Sequence, residues 1–217
     1  LALLVGRSIY TSRSQHEEQA VVEAYSVARV LENDISNLFD KVRLAIHTVA
    51  MEQERRLAGH GPDERSSRAY IASILANLPD VVALRIVDAS GQPVYSGEFA
   101  QSPAPGIEDQ PYFVRLRDGH FSGLVISRPH RDGPDGPRVV DVVRRFEHPD
   151  GRFAGAVVAP VAIARLENML GAADVGPGGA VSLRDEDLAI VARHPPQPEG
   201  PGGGAFADED PAALDFG

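Results

Sequence analysis

The chain has 217 residues and a formal net charge of −10 at pH 7. Hydrophobic residues make up 43% of the chain and charged residues 24%, which excludes a fully disordered chain and a multi-span membrane protein. An acidic chain lacks the clustered Lys and Arg that hold phosphates, which argues against nucleic acid as a partner. The chain has no cysteine, so disulfides, thiolate catalysis and Cys-ligated zinc are excluded.

The N-terminal segment begins with an apolar run, Leu1 to Val5, which is followed by Arg7, Arg13 and a polar stretch. The run is far shorter than the ~20 residues that cross a bilayer. Its composition and its basic flank are typical of the outer end of a membrane-spanning helix, and we predict such an end over 1–10. The alternative is an ordinary first helical turn.

A long helix is predicted next, over 11–58. There is no Gly or Pro between Glu17 and Arg56, and Gly59 and Pro62 end the segment. Apolar residues recur at alternating spacings of four and three along it. They are Ala24, Ala28, Leu31, Ile35, Leu38, Val42, Ala45 and Val49. Two partners fit this apolar stripe equally: the sheet of the same chain, or the same helix of a second copy in a parallel homodimer.

The central part of the chain changes from the helical to the strand period. A second helix is predicted from Asp63 or Ser66, as its cap, to a point before Pro79. Five strands follow, with hairpin turns at 88–91 and 148–151, and with a loop and a short helix from Pro111 between the second and third strands. The predicted strands are 81–87, 92–96, 121–127, 138–147 and 152–161. This order predicts an antiparallel sheet of the α+β class, in a PAS-like module over 59–170.

The C-terminal part contains a connecting helix over 163–170 and two short strands, 180–183 and 188–192, on either side of a charged turn. A lone hairpin is marginally stable in water. We therefore expect residues 171–217 to be the start of a second, incomplete module.

Four strings that follow the long helix resemble parts of the double Cache sensor domains (PDC-type, PAS-like) of bacterial diguanylate cyclases and histidine kinases. They are LRIVDASG at 84–91, DQPYF at 109–113, DGRFAGAV at 150–157 and GPGGAVSL at 176–183. The resemblance covers nearly the whole chain and depends on the order and spacing of these strings. It implies a membrane-distal sensor module, a second module that runs beyond Gly217, and an extracytoplasmic (periplasmic) position at the bacterial cell membrane. Two departures stand out: Gln110 replaces an Arg that is frequent in the family, and the Trp of amino-acid-binding relatives is absent.

The resemblance implies a small-molecule ligand between the sheet and the segment 97–120. Tyr112 and Phe113 open the helix of this segment, where a ring can form a pocket wall and a phenol can donate one hydrogen bond. Strand alternation places Asp141 on one face of the fourth strand. We predict that Gln110, Tyr112, Phe113, Arg128 and Asp141 are the ligand-binding residues. For Arg85 and Arg144, a solvated strand face fits at least as well.

No catalytic or metal-binding motif is recognisable. The seven histidines form no HExxH set, and there is no G-x-S-x-G nucleophile motif. The string His130-Arg131-Asp132 echoes a kinase loop but lacks its downstream Asn. We therefore predict a non-enzymatic sensor with no cofactor and no metal, whose output domain, a diguanylate cyclase or a histidine kinase, lies outside this chain. The alternative is a ligand-free structural or dimerisation module whose pocket is filled by its own side chains.

Overall fold

The computed structural model describes the backbone of residues 2–61, 63–98, 106–119, 123–173, 175–176, 179–185, 187–196 and 214–216. Side chains are described within these ranges from residue 25 onward, except for 98 and 214–216.

The N-terminal helix α1, Ala2–Leu57, is continuous, as the stripe predicts. Beyond its last turn, Gly59 adopts a φ of +76°, which is accessible to Gly at little cost, and His60 N donates to Arg55 O at 2.9 Å. Within the part of the chain that the structure describes, no helix is both long and apolar enough to cross a membrane. The assignment of residues 1–10 to the end of a membrane span stays a prediction, and so does the division of the chain into modules.

Three shorter helices follow: α2, Glu64–Leu75, α3, Pro111–Asp118, and α4, Ile163–Gly171. Of the two caps considered for α2, the structure has Asp63, whose Oδ1 accepts from Ser66 N at 2.9 Å. Pro111 lies in the first turn of α3, where its missing N–H costs nothing. These helix starts agree with the sequence prediction.

The main sheet is antiparallel throughout and has the order β2-β1-β6-β5-β3-β9, with β4 paired to β5. Its strands are β1 Ala83–Asp88, β2 Pro93–Glu98, β3 Leu124–Ile126, β4 His130–Arg131, β5 Arg138–Glu147, β6 Phe153–Ala162 and β9 Leu214–Phe216. A separate hairpin pairs β7, Val181–Arg184, with β8, Ile190–His194. The α+β prediction is confirmed, and β4 and β9 are the strands that the sequence pattern did not reveal.

Helix α1 covers one face of the main sheet. From Leu31 to Val49 its apolar stripe is buried and shares one core with strand residues such as Val140 and Val142. Of the two partners considered for the stripe, the chain's own sheet is therefore the one that this stretch contacts. Ala28 is exposed, and the side chain of Ala24 lies outside the described residues.

Helix α3 covers the opposite face. Phe113 and Leu116 are fully buried against Val143 and Val158, and the rings of Phe113 and Phe153 meet edge to face with centroids 5.8 Å apart. Strand β5 is packed on both faces, so it is the element that α1 and α3 share.

Candidate functional site

A group of polar side chains interrupts the apolar packing on the α3 face of the sheet. It is brought together from β1, α3, the β3–β4 region and β5. We call it the Asp141 cluster. Its members are Arg85, Tyr112, Ser127, His130, Asp132 and Asp141.

Asp141 lies at the centre of this cluster and is only 2% exposed. Its Oδ2 accepts a 2.6 Å hydrogen bond from the hydroxyl of Tyr112 and lies 3.1 Å from His130 Nε2. Ser127 fixes the backbone, since Asp141 N donates to Ser127 Oγ and Ser127 N donates to Asp141 O, both at 2.8 Å. The carboxylate is thus held in one orientation by three different elements.

The second carboxylate oxygen, Asp141 Oδ1, is buried and has no hydrogen-bond partner among the described residues. Buried carboxylate oxygens almost always accept hydrogen bonds, because an unsatisfied one loses its hydration without compensation. Asp141 Oδ1 is therefore an oriented acceptor that is ready for an external donor.

A second acid, Asp132, is neutralised within the cluster by Arg85. The two terminal nitrogens of Arg85, Nη1 and Nη2, each lie 2.6 Å from one oxygen of Asp132, and the side chains are 5% and 7% exposed. The Asp141 carboxylate contacts His130 and Tyr112 instead. A buried carboxylate oxygen of this kind accepts a hydrogen bond from a donor group.

Two pKa shifts follow from this arrangement. Burial, and then the charge and hydrogen bond of Asp141, raise the pKa of the Tyr112 hydroxyl, so that it stays a donor. For His130, burial has the largest effect and lowers the pKa, but the hydrogen bond and charge of Asp141 outweigh it and the pKa is raised.

Arg145 ties the end of α3 to the sheet. Its side chain is buried on β5, Nη1 donates to the carbonyls of Leu116 and Gly119, and the guanidinium lies 5.1 Å from the centre of the Phe153 ring. A cation at the C-terminal end of a helix interacts favourably with the helix dipole. Arg145 therefore fixes the position of α3, and with it that of Tyr112.

The structure brings Tyr112 and Asp141 into direct contact and places Phe113 next to them in the apolar core. Gln110 precedes α3 as its N-cap residue, with a half-buried side chain that makes no capping hydrogen bond. Arg128 is placed elsewhere: it forms a 2.7 Å ion pair with Asp187 and lines a cavity next to α1. A role in ligand binding remains a prediction for all five residues.

The alternative of a solvated strand face does not describe Arg85, which is buried, and Arg144 is half-buried. Sequence reasoning also missed Ser127, His130 and Asp132. A signal was present: two of these three lie in the string His130-Arg131-Asp132, which resembles a kinase motif only by coincidence.

Three cavities are lined by described residues. One lies between α1, the sheet and the β7–β8 hairpin and measures about 640 Å³. Another, of about 730 Å³, runs between α1 and α4, and a third, of about 460 Å³, lies at the C-terminal end of α1. None of the three contains Tyr112 or Asp141. Among the residues with described positions, no three His, Asp or Glu side chains are arranged to hold a metal ion.

Neither a protein-family model nor a curated protein sequence matches this chain. Solved structures do match. The extracellular domain of rpHK1S-Z16, described as a histidine kinase, has a TM-score of 0.68 and 25% identity over 78% of this chain and 68% of that chain. The ligand-binding domain of the Pseudomonas fluorescens chemoreceptor CtaA, in complex with L-isoleucine, has a TM-score of 0.57 and 20% identity over 84% and 72%. That of the Campylobacter jejuni chemoreceptor Tlp3, in complex with 4-methylisoleucine, has a TM-score of 0.56 and 11% identity over 77% and 67%.

These structural relatives are extracellular domains of histidine kinases and ligand-binding domains of chemoreceptors. The likeness confirms the predicted resemblance to Cache-type sensor domains and the predicted order of a long helix followed by an antiparallel sheet. The fold of this chain is the one seen in these sensor domains.

Proposed function

We propose that this chain is the extracytoplasmic sensing domain of a bacterial membrane receptor and that the Asp141 cluster binds its ligand. The observation that carries the proposal is the free oxygen of Asp141, which is buried, oriented and without a donor among the described residues. A protonated amine or a hydroxyl group satisfies it best, because either supplies the missing hydrogen bond.

The relatives support an amine as the first choice. Chemoreceptor domains of this fold were solved with L-isoleucine, L-serine and L-valine, all of which carry an α-ammonium group. In this chain, Tyr112 and Phe113 would contribute an aromatic wall and Asp141 the counter-ion. Gln110 precedes Tyr112 by two positions at the start of α3, and its amide would contribute a polar contact to the ligand.

The route from the ligand to α1 runs through β5. Asp141 points towards α3, while its neighbours Val140 and Val142 belong to the core that buries Val42 and Ile46 of α1. A ligand that moves β5 relative to α3 therefore changes the surface on which α1 packs. Such a ligand shifts the equilibrium only by its differential affinity for the two arrangements.

Helix α1 then links the sensor to the membrane at residues 1–10, and a homodimer through α1 would place two such helices side by side. The output module, a histidine kinase, a chemotaxis signaller or a diguanylate cyclase, lies outside this chain. Residues 171–217 would form the start of the membrane-proximal module, except for β9, which pairs with β3 in the main sheet.

A structural module without a ligand is the second candidate. One observation favours it: Tyr112, Phe113 and Leu116 fill much of the space between α3 and the sheet and are at most 4% exposed. In this alternative, Tyr112 serves only to satisfy Asp141, and the domain transmits force or dimerises without sensing a metabolite.

A thermal-shift screen separates the two candidates. Purified wild-type protein is melted with a library of amines, amino acids and polyols, and each hit is repeated with Asp141→Ala, with Tyr112→Ala and with the control Asp150→Asn, which alters an exposed turn acid. We expect at least one compound to raise the melting temperature of the wild type and the control but not that of the two site variants. A library without hits, or hits whose shift survives in both site variants, would overturn the assignment.

A further inference from the structure

The cavity of about 640 Å³ between α1, the sheet and the β7–β8 hairpin lies on the α1 side of the sheet, and Ser127 of the Asp141 cluster is one of its lining residues. Val140, which lines it, points away from its neighbour Asp141. The volume of the cavity lies within the roughly 300–1,000 Å³ that is usual for small-molecule sites. Its apolar lining includes Ile35, Phe39, Leu124, Ile126, Val140 and Leu183.

Two ion pairs lie at this cavity. Arg43 Nη2 lies 2.9 Å from Asp40 Oδ1 within α1. Arg128 Nη2 lies 2.7 Å from Asp187 Oδ2 in the β7–β8 turn. These pairs leave little net charge on the side of the cavity formed by α1 and the sheet.

The hairpin contributes two further charges, and these are not paired with each other. Asp185 is 8% exposed; its Oδ1 accepts from Ala189 N at 2.8 Å, and its Oδ2 is buried without a hydrogen-bond partner among the described residues. Arg184 Nη1 donates to Leu188 O at 2.6 Å, and no described carboxylate forms an ion pair with Arg184. The cavity thus combines an apolar floor with one carboxylate and one guanidinium for which the described residues provide no ionic partner.

We propose that this cavity is a second binding site, which takes a small zwitterion with an apolar body. Its ammonium group binds Asp185 Oδ2, its carboxylate binds Arg184, and its apolar part covers Phe39 and Leu124. A simple anion would be repelled by the carboxylate of Asp185, and a simple cation would be repelled by Arg184. A hydrocarbon would leave Asp185 Oδ2 without a hydrogen bond. Because the lining comes from both α1 and the hairpin, an occupied site fastens the start of the second module to the signalling helix.

Isothermal titration with three matched probes tests this second site. L-leucine carries both charges, N-acetyl-L-leucine lacks the ammonium and L-leucinamide lacks the carboxylate. We expect leucine to bind, and each analogue to bind at least about tenfold more weakly, because each loses one charge-assisted hydrogen bond.

Four variants of the 217-residue chain test whether the heat of leucine binding comes from this cavity. Asp185→Asn keeps the acceptor for Ala189 N but removes the charge, and Arg184→Gln removes the cation; both should weaken leucine binding at least about tenfold. Ser36→Phe, at an exposed α1 position that lines the cavity, should block the site without affecting the fold. Asp150 also accepts a backbone N–H in a turn, so Asp150→Asn is the matched control and should bind leucine as the wild type does.

Three outcomes would overturn the second site. The first is that leucine does not bind to the wild type at about 10 mM, a concentration well above the range of specific affinities. The second is an unchanged affinity for leucine in both Asp185→Asn and Ser36→Phe. The third is leucine binding that is lost in Asp141→Asn but kept in Asp185→Asn. The last outcome would locate the leucine in the Asp141 cluster, so a failure of this inference is distinguishable from a failure of the proposed function.

Discussion

Arg85 and Asp132 form a fully paired ion pair beneath α3, with both N–O distances at 2.6 Å and the two side chains 5% and 7% exposed. Arg85 comes from the middle of β1, whereas Asp132 follows the two-residue strand β4. Removal of one partner would leave the other charge buried, and such losses usually cost about 3–5 kcal/mol. We expect Asp132→Asn to lower the free energy of unfolding by that amount in urea titrations.

The exposed pair between Arg152 and Asp150 is the matched control for this prediction. Its N–O distance is 2.7 Å, but the side chains are 76% and 53% exposed. Surface pairs contribute little to stability, so Asp150→Asn should leave the free energy of unfolding nearly unchanged. Equal effects of the two substitutions would show that Arg85 and Asp132 are not a buried pair.

His130 should make stability depend on pH. Its pKa is raised above the ordinary value of 6.5, because the bond to Asp141 outweighs burial. Folding therefore gains from protonated His130 below pH 6.5, and this gain is lost as the pH rises through the raised pKa. Denaturant titrations between about pH 6 and about pH 8.5 should show a fall in unfolding free energy that is smaller in His130→Gln.

The control for His130 is His60→Gln, in an exposed loop after α1. This variant should keep the full pH dependence of the wild type. If His130→Gln keeps it as well, the bond between His130 and Asp141 makes no contribution to stability.

Gly155 allows β6 to lie close to β1. A Cβ at this position would collide with the carbonyl oxygen of Val87 and would lie 2.8 Å from the ring of Phe146. Overcrowding and backbone strain each cost about 1–3 kcal/mol, so Gly155→Ala should destabilise the domain by about 3 kcal/mol or more.

Gly151 offers the comparison for Gly155, since its φ is +82° but a Cβ would meet no atom within 4 Å. Gly151→Ala should cost only the strain of the left-handed conformation, about 1–2 kcal/mol. Thermal or urea unfolding of both variants measures the difference. A smaller loss for Gly155→Ala than for Gly151→Ala would contradict the close approach of the two strands.

The packing of α1 on the sheet predicts opposite results for two neighbouring positions. Ile46 is fully buried, whereas Leu44 is 66% exposed. Ile46→Ala should cost about 2–5 kcal/mol and Leu44→Ala less than about 0.5 kcal/mol in urea titrations of dilute protein. A large loss at Leu44 that depends on protein concentration would instead place a second copy of the chain on that face.

Local sequence patterns were sufficient for most of the fold. The apolar stripe from Leu31 to Val49 and the alternation in β5 are repeated over many residues, so the helix and its buried face could be predicted. The strands β4 and β9 have two and three residues, too few for any period to show. Their pairing depends on contacts with β5 and β3, which no local pattern encodes.

The site was predictable only in part for the same reason. Alternation along β5 put Asp141 and Val143 on the same face of the strand, and the resemblance placed this strand and Tyr112 around one pocket. In the structure Tyr112 and Asp141 are in contact. Arg128 lies two residues beyond the end of β3, where alternation no longer applies, and it lines the cavity on the α1 side. The burial of Arg85 depends on Asp132, 47 positions further along the chain, and the sequence contains no local sign of that pair.

The central claim, that Asp141 receives a ligand, is tested most directly by NMR of ¹⁵N- and ¹³C-labelled protein during titration with the strongest thermal-shift hit. The account predicts saturable shifts of the Asp141 carboxyl carbon and of the His130 ring in the wild type. The His130 shifts should disappear in Asp141→Asn, while the control Asp150→Asn responds as the wild type does. Saturable binding with the Asp141 and His130 signals unmoved would contradict it.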